Sequence, residues 1–511
     1  MEIKPVFANS IHPKKTKKCR DVLNITFLRF VITMKRNIYI YVLTALFALP
    51  FIGCRKTVFY NGAEAYLRFS TNTVFFDTVF TSLTTTTKQL KVYNPYKQTV
   101  KTSIRLYNGS SSYYSLNIDG SATNQLDDVE IAGGDSIFIF IRVNIPPNGA
   151  NNPLVVTDTI FFHTNNTKQR VVLEAAGQDV HFILPDATYF GLPCKIVAHE
   201  NEHITWRNDK PYVIYGYAVV DSSAQLDIEE GTRVYIHKNG GMLCYRGSCL
   251  HVNGSKDKPV LFGGDRTDHW SMQDYALWDR IWLMESNKDH VINYAQISNA
   301  YIGIQAETIE SAMGNKLILT NTIIKQNALF GLHTRAYNLV AENNIITDCA
   351  VYGVYLSAGG NCQLNNNTIY NLYESSRTTP TVLISNYYKY ATEQSTSVIY
   401  GDMVAELNNN IISGTGGVSN EILIDSVQQS LFDIQFNNCL LKASADNLNK
   451  LNHKNTLTNI DPLFNNATRN VWDFSLSSTS PCKRAGKYLP SPSHDIFGTL
   501  RNNPPSVGAA E

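Results

Sequence analysis

The chain has 511 residues with 44 Lys and Arg against 43 Asp and Glu, and only 17% of its residues are charged. That length allows two or three domains with sizeable cores, and the near-neutral balance supplies no basic field, so no nucleic-acid partner is expected. The abundance of Asn, Thr, Tyr and Phe favours strands separated by polar turns, and an all-β chain is expected.

Residues 1–33 are basic and aperiodic and read as an over-long start, so that translation begins at Met1 or at Met34. From Met34 the sequence runs Met-Lys-Arg, an apolar stretch Ile38–Ile52, Gly53 and Cys54, which reads as a secretory signal over 34–53 that is too short for a comfortable membrane span. Phe51-Ile52-Gly53-Cys54 resembles the lipobox of bacterial lipoproteins, departing at Phe51, where that motif usually has Leu. The resemblance implies that Cys54 is lipidated and that the protein is held by its lipid at a membrane of the cell envelope, the outer membrane being expected. Arg55 and Lys56 follow in place of the acidic pair that directs Bacteroidetes-type lipoproteins to the outer face, which leaves the side of the membrane open.

Over 54–183, alternating apolar runs at Leu90–Pro95, Thr102–Leu106, Asp135–Val143, Asp158–His163 and Arg170–Ala175 are separated by turn residues, the pattern of a β-sandwich. The stretch resembles the small immunoglobulin-like domains that precede repeats in secreted bacterial proteins, which implies a spacer or stalk.

The residues beyond it carry a repeat. Asn321, Asn344 and Asn367 are spaced by 23, each with Ile two positions on, and the column continues at Asn410 and Asn438. Ile318, Ala341, Leu364 and Leu407 precede the Asn by three. Such a period with turn residues and apolar residues in fixed columns predicts a solenoid over 184–460. Gly303, Gly331 and Gly353 recur about nine residues after the Asn column and are expected at tight bends of positive φ. Leu226–Val234, Leu250–Phe262, Trp278–Leu283, Ile292–Ile297 and Tyr301–Ile304 resemble coils of right-handed parallel β-helix proteins, the pectin-lyase-like family. Residues 461–511, with Asp461–Phe464, Asp473–Leu476, Ser480–Cys482, Asp495–Gly498, Arg501 and Val507–Glu511, resemble the C-terminal closing segment of such proteins, departing at Arg484. The fold expected is thus an N-terminal β-sandwich followed by a right-handed single-stranded parallel β-helix.

The nine cysteines have no metal-ligand spacing. Cys194, Cys349, Cys362, Cys439 and Cys482 read as small core fillers, whereas Cys244 and Cys249 could bridge a turn if their geometry allows. No metal and no cofactor is expected.

Hydrolysis of a polysaccharide needs two carboxylates flanking the bond, and Asn-Thr-Asp, a paired Asp-Asp in the helix and Gly-His-Gly are all absent. Elimination needs a base and usually calcium. The catalytic candidates are Asp265 and Asp268, in the loop that continues to Asp274 and Asp279, and His333 with Arg335, which strand alternation points the same way. Tyr355 lies one coil later near the same column, and Glu307 one coil earlier. Between Asn367 and Asn410 the period stretches to 43, and the insert around 376–400 carries Tyr387, Tyr388 and Tyr390, which could stack on sugars or form an irregular coil. The reading is an exported envelope lipoprotein that binds a glycan or another envelope component without catalysis. The alternatives are a polysaccharide lyase or glycosidase, the lyase using calcium, and an adhesin or structural partner.

Overall fold

The computed structural model describes residues 57–511 except 82–86, 148–153, 267–273, 310–315, 374–376 and 392–395. Cys54, the signal-like stretch and Asp268 lie outside the described residues.

Two five-stranded sheets form the N-terminal sandwich. Ser136–Val143 shows why: Ile137, Ile139, Ile141 and Val143 point inward while Phe138, Phe140 and Arg142 point out. Leu90, Val92, Leu116, Ile160, Phe162 and Leu173 complete the same core.

From His181 the chain winds into a right-handed parallel β-helix. Each coil supplies, in order, one strand to a front sheet, one to a side sheet and one to a back sheet, of 10, 10 and 11 strands. Inward residues stack between coils, so that Ile324, Ile346, Ile369, Ile412 and Leu441 form one column of the back sheet. Burying each such side chain stabilises by about 1.5–3 kcal/mol.

The register corrects the sequence column by one residue in its first coil. Ile346 lies beside Ile324, not Ile323, and Ala341 beside Leu319, not Ile318. Ile323–Ile324 and Ile318–Leu319 are adjacent apolar pairs, so constant spacing picked the outward member of each.

Asn residues at the side-to-back corner do two separate jobs. Asn321, Asn343, Asn366, Asn409 and Asn438 turn the chain with φ of 49°, 59°, 54°, 56° and 52°, a left-handed conformation that Asn tolerates. The following position is a buried amide ladder. Asn367 Oδ1 accepts from the backbone and side-chain nitrogens of Asn344, both at 2.9 Å. Its Nδ2 donates to Ala341 O and Asn410 Oδ1, also at 2.9 Å. The Asn triplets 365–367 and 408–410 therefore serve three adjacent columns, the outermost joined by Asn408 Nδ2 to Asn365 Oδ1 at 3.0 Å.

Gly303, Gly331 and Gly353 are not positive-φ bends; none of them has left-handed φ. They lie inside front strands where backbones crowd. A Cβ on Gly331 would stand 2.7 Å from both Gly353 O and Ile346 Cγ2, so glycine is required by close approach.

The residues 461–511 cover the outer face of the later strands of the back sheet. Phe474, Ile496 and Ala509 pack on Ile345, and Leu476, Cys482 and Val507 pack on Ile411 and Leu440. Arg501 Nη2 donates to Asn343 Oδ1 at 2.6 Å, and Ala509 N to Thr368 Oγ1 at 3.0 Å. The long interval before Asn410 is not an extra coil. Val382–Ser385 is an ordinary front strand, and the added residues form an antiparallel hairpin, Tyr387–Ala391 with Thr396–Tyr400, at the front-to-side corner.

The seven described cysteines are free and buried. Cys244 and Cys249 are thiols rather than a bridge, and Cys194, Cys349, Cys362, Cys439 and Cys482 are space fillers among apolar neighbours and corners.

Candidate functional site

The later strands of the back sheet are covered, but the front sheet carries charged and aromatic side chains outward. One outward column reads Ile196, Val219, Leu243, Trp282, Gln305, His333, Tyr355, Leu383 and Leu423, coil by coil. It passes from aliphatic residues through Trp282, Gln305, His333 and Tyr355 and back to aliphatic residues, because parallel register places one residue of each coil in line. The neighbouring column brings Glu307 beside Arg335 and Arg335 beside Ser357.

Hydrogen bonds at this point link residues of four coils over a span of five. Tyr217 Oη and the Arg280 guanidinium donate to Asp279, the latter at 2.9 and 3.0 Å. Arg280 Nη1 also donates to Gln305 Oε1, and Gln305 Nε2 donates to Glu307 Oε2 at 2.9 Å. Glu307 further accepts from Trp282 Nε1 at 2.7 Å and pairs with Arg335 Nη2 at 2.6 Å. Both Glu307 oxygens are thus occupied by donors, while Arg335 Nε, though buried, has no protein partner.

An aromatic stack borders this network. His333 lies 4.7 Å from Tyr355 with the rings 7° from parallel, and Tyr388 of the hairpin reaches both, at 5.6 and 6.2 Å. The Arg335 guanidinium sits 5.2 Å from the centre of the Tyr388 ring. Phe330 and Tyr352 extend the stack, their rings 5.5 Å apart. Burial, helped by the Arg335 and Arg280 charges, holds the His333 imidazolium down to a pKa of about 3. His333 is therefore neutral near pH 7, with Nε2 at 3.1 Å from Ser357 Oγ. Burial likewise raises the Tyr355 phenol.

The candidates from sequence separate into two groups. His333, Arg335, Tyr355 and Tyr388 come together with Glu307, as strand alternation and coil spacing place them. Tyr387 turns to Asp425, to which its hydroxyl donates, and this bond first, then burial, pushes its pKa up to about 12. Tyr390 is 40% exposed on the hairpin. Asp265 stands apart from the front network, bonded to His237 at 2.7 Å. Trp282, Gln305, Arg280 and the placement of Asp279 beside them were not found from sequence; the outward positions of the front strands one coil earlier were the signal.

The model of a family described as periplasmic copper-binding protein (NosD) matches residues 193–406. Among curated proteins no sequence matches the chain. Solved structures with similarity include the A-modules of the mannuronan C-5 epimerases AlgE6 and AlgE4 of Azotobacter vinelandii. The first is 8% identical over 55% of this chain and 89% of its own, with a TM-score of 0.27. The second is 10% identical over 51% and 89%, with a TM-score of 0.24. The PapD-like domain 7 of human CEP192 is 10% identical over 25% of this chain and 94% of its own, with a TM-score of 0.16.

Copper is bound by thiolate, thioether and imidazole ligands. Among the described residues no group of three His, Cys, Asp or Glu side chains is placed to hold a metal ion. Burial pushes the thiols of Cys349, Cys362 and Cys439 up to about 12, away from the ligating thiolate. The described side chains do not fit the metal in that family's description.

Proposed function

We propose that this chain, a right-handed parallel β-helix protein of the pectin-lyase-like class, is a cell-envelope binding protein that holds a hydroxyl-rich, uncharged glycan against its front sheet. The observation that carries the reading is the Glu307–Arg335 pair set beside the His333–Tyr355–Tyr388 stack. The closed ion pair presents no net charge, its Arg335 side being the more exposed, and ring faces suit the apolar faces of sugars.

The same contacts favour binding over cleavage. Glu307 holds three donors on its two oxygens and is 2% exposed, an arrangement that stabilises its ionised form and keeps it from a substrate proton. His333 is neutral and stacked, and the Glu307 charge opposes the carboxylate of a uronate at Arg335. Export through the 34–53 signal, and anchoring through Cys54 at the outer membrane, complete the proposal; the periplasmic description of the matching family supports the envelope setting.

The test is calorimetric titration with neutral polymers (dextran, laminarin, mannan, xylan) and absorbance at the wavelength of unsaturated uronates when acidic polymers are supplied. Binding of a neutral polymer that weakens at least tenfold in Arg335→Ala, with no unsaturated product, is expected. Product formation would overturn the binding reading. For the anchor, fatty-acid label that persists in Cys54→Ala would refute lipidation there.

A further inference from the structure

The sandwich has a face that a stalk does not require. Its sheet of Arg68–Phe69, Lys88–Tyr93, Ser136–Val143, Tyr114–Ile118 and Ser121–Ala122 buries one side in the core. On the other side it exposes Tyr93, Phe138 and Phe140 to 37%, 37% and 41%. The Phe138 and Phe140 rings are 6.5 Å apart and 26° from parallel, a two-ring platform open to solvent. Single exposed apolar residues need no explanation, but three aromatics on one side of two paired strands do.

The charges on this face have one sign. Register places Arg68 beside Tyr93, Lys91 beside Phe138, and Arg142 one alternation beyond Phe140. Lys91 Nζ lies 5.0 Å from the Tyr93 ring centre and 5.2 Å from that of Phe138. No strand of this sheet carries an outward carboxylate; Asp119, in the turn after Ile118, is at its edge. The opposite sheet differs, since there Lys101 is paired with Glu130 at 3.3 Å. Beside the platform is a concavity of about 920 Å³, walled in part by Phe140, Arg142, Ser115, Asn117, Asn124 and Gln125. A ligand that stacks on Phe138 and Phe140 can therefore extend into a recess lined in part by Arg142.

We propose that this face of the sandwich is a second glycan site, one that takes an acidic polysaccharide of the uronate class. Ring planes meet sugar faces, and Arg68, Lys91 and Arg142 meet carboxylates. The charge complement separates it from the front sheet, where each cation is already neutralised. Chain binding at two places would raise the hold on a mixed envelope glycan through effective concentration, provided both can be engaged at once.

The test is retardation of the full chain, in mild detergent, by sodium polygalacturonate in a native gel, repeated at increasing salt. Retardation that falls at least tenfold in the double variant Phe138→Ala/Phe140→Ala, persists in Tyr388→Ala and weakens with salt is expected. Because the double variant removes aromatic surface, a second variant, Lys91→Gln/Arg142→Gln, keeps the fold and should lose the salt-sensitive part. No retardation of the unmodified chain, or retardation unchanged in both double variants, would overturn the site. Retardation lost in Tyr388→Ala alone would place acidic-glycan binding on the front sheet, overturning this proposal and revising the charge class assigned there.

Discussion

The back and front sheets are made by the same coils, yet their outer faces have opposite fates. The back sheet turns Ile345, Ile411 and Leu440 outward and then hides them under residues of the C-terminal segment. The front sheet turns Trp282, Gln305, Glu307, His333, Arg335 and Tyr355 outward and joins them to one another instead. On the back sheet these apolar outward residues lie where the chain covers itself, whereas the front-sheet row satisfies its polar groups internally.

The largest expected effect is at the corner that leads from back to front. Arg377 and Glu421 are 2% and 0% exposed and meet at 2.7 Å, with Thr381 Oγ1 also donating to Glu421 at 2.6 Å. Removing one partner strands a buried charge, so Glu421→Ala should lower unfolding free energy by about 3–5 kcal/mol in denaturant titration. A loss below about 1 kcal/mol would show that the pair does not hold this corner.

Phe474→Ala comes next, at about 3 kcal/mol, because a core aromatic is removed from between tail and back sheet. It should increase protease cutting within 461–511 while leaving front-sheet binding intact. Equal loss of binding would mean that the two faces are mechanically one unit.

These two changes also show what could be read beforehand. The solenoid was legible because Asn367 and Asn410 head Asn-rich corners and apolar residues fall in columns. Ile323 against Ile324 was not legible, since either isoleucine satisfies the pattern and only the 22-residue offset of Ile346 in the paired strands decides. The glycines were read as bends, whereas Gly331 is excluded from bearing a Cβ by Gly353 O and Ile346 in other coils, contacts that no local pattern carries. His333, Arg335, Glu307 and Tyr355 were legible together through strand alternation plus coil spacing. Arg280 and Asp279 were hidden by the long corner after Gly264, which breaks the count. The tail's path over Asn343 depends on Arg501, 158 residues away.

A smaller effect is set by pH. Burial keeps His290 and His333 neutral in the fold, with pKa values lowered from 6.5 to about 4 and about 3. In the unfolded chain they gain protons near their ordinary pKa, so unfolding takes up protons below about 6.5 and stability falls as the pH is lowered towards about 4, with full stability above that window. His333→Phe should reduce the steepness of this fall in urea titrations at several pH values; an unchanged slope would mean that His333 titrates normally in the folded protein.

The smallest expected cost in stability accompanies Tyr388→Ala. Its ring is part of a surface hairpin, so a loss of under about 1.5 kcal/mol is expected, together with at least tenfold weaker binding of a neutral glycan. A large stability loss with intact binding would reassign the hairpin as a structural cover.

The most direct measurement is amide hydrogen exchange with and without the neutral polymer that binds most tightly. Slower exchange confined to the front strands Phe330–Arg335 and Tyr352–Ser357 and the Tyr387–Ala391 hairpin strand, with the back sheet unchanged, is the expected result. Protection that falls on the back sheet or the C-terminal segment, while those front elements exchange as before, would contradict the assignment of the front sheet as the binding face.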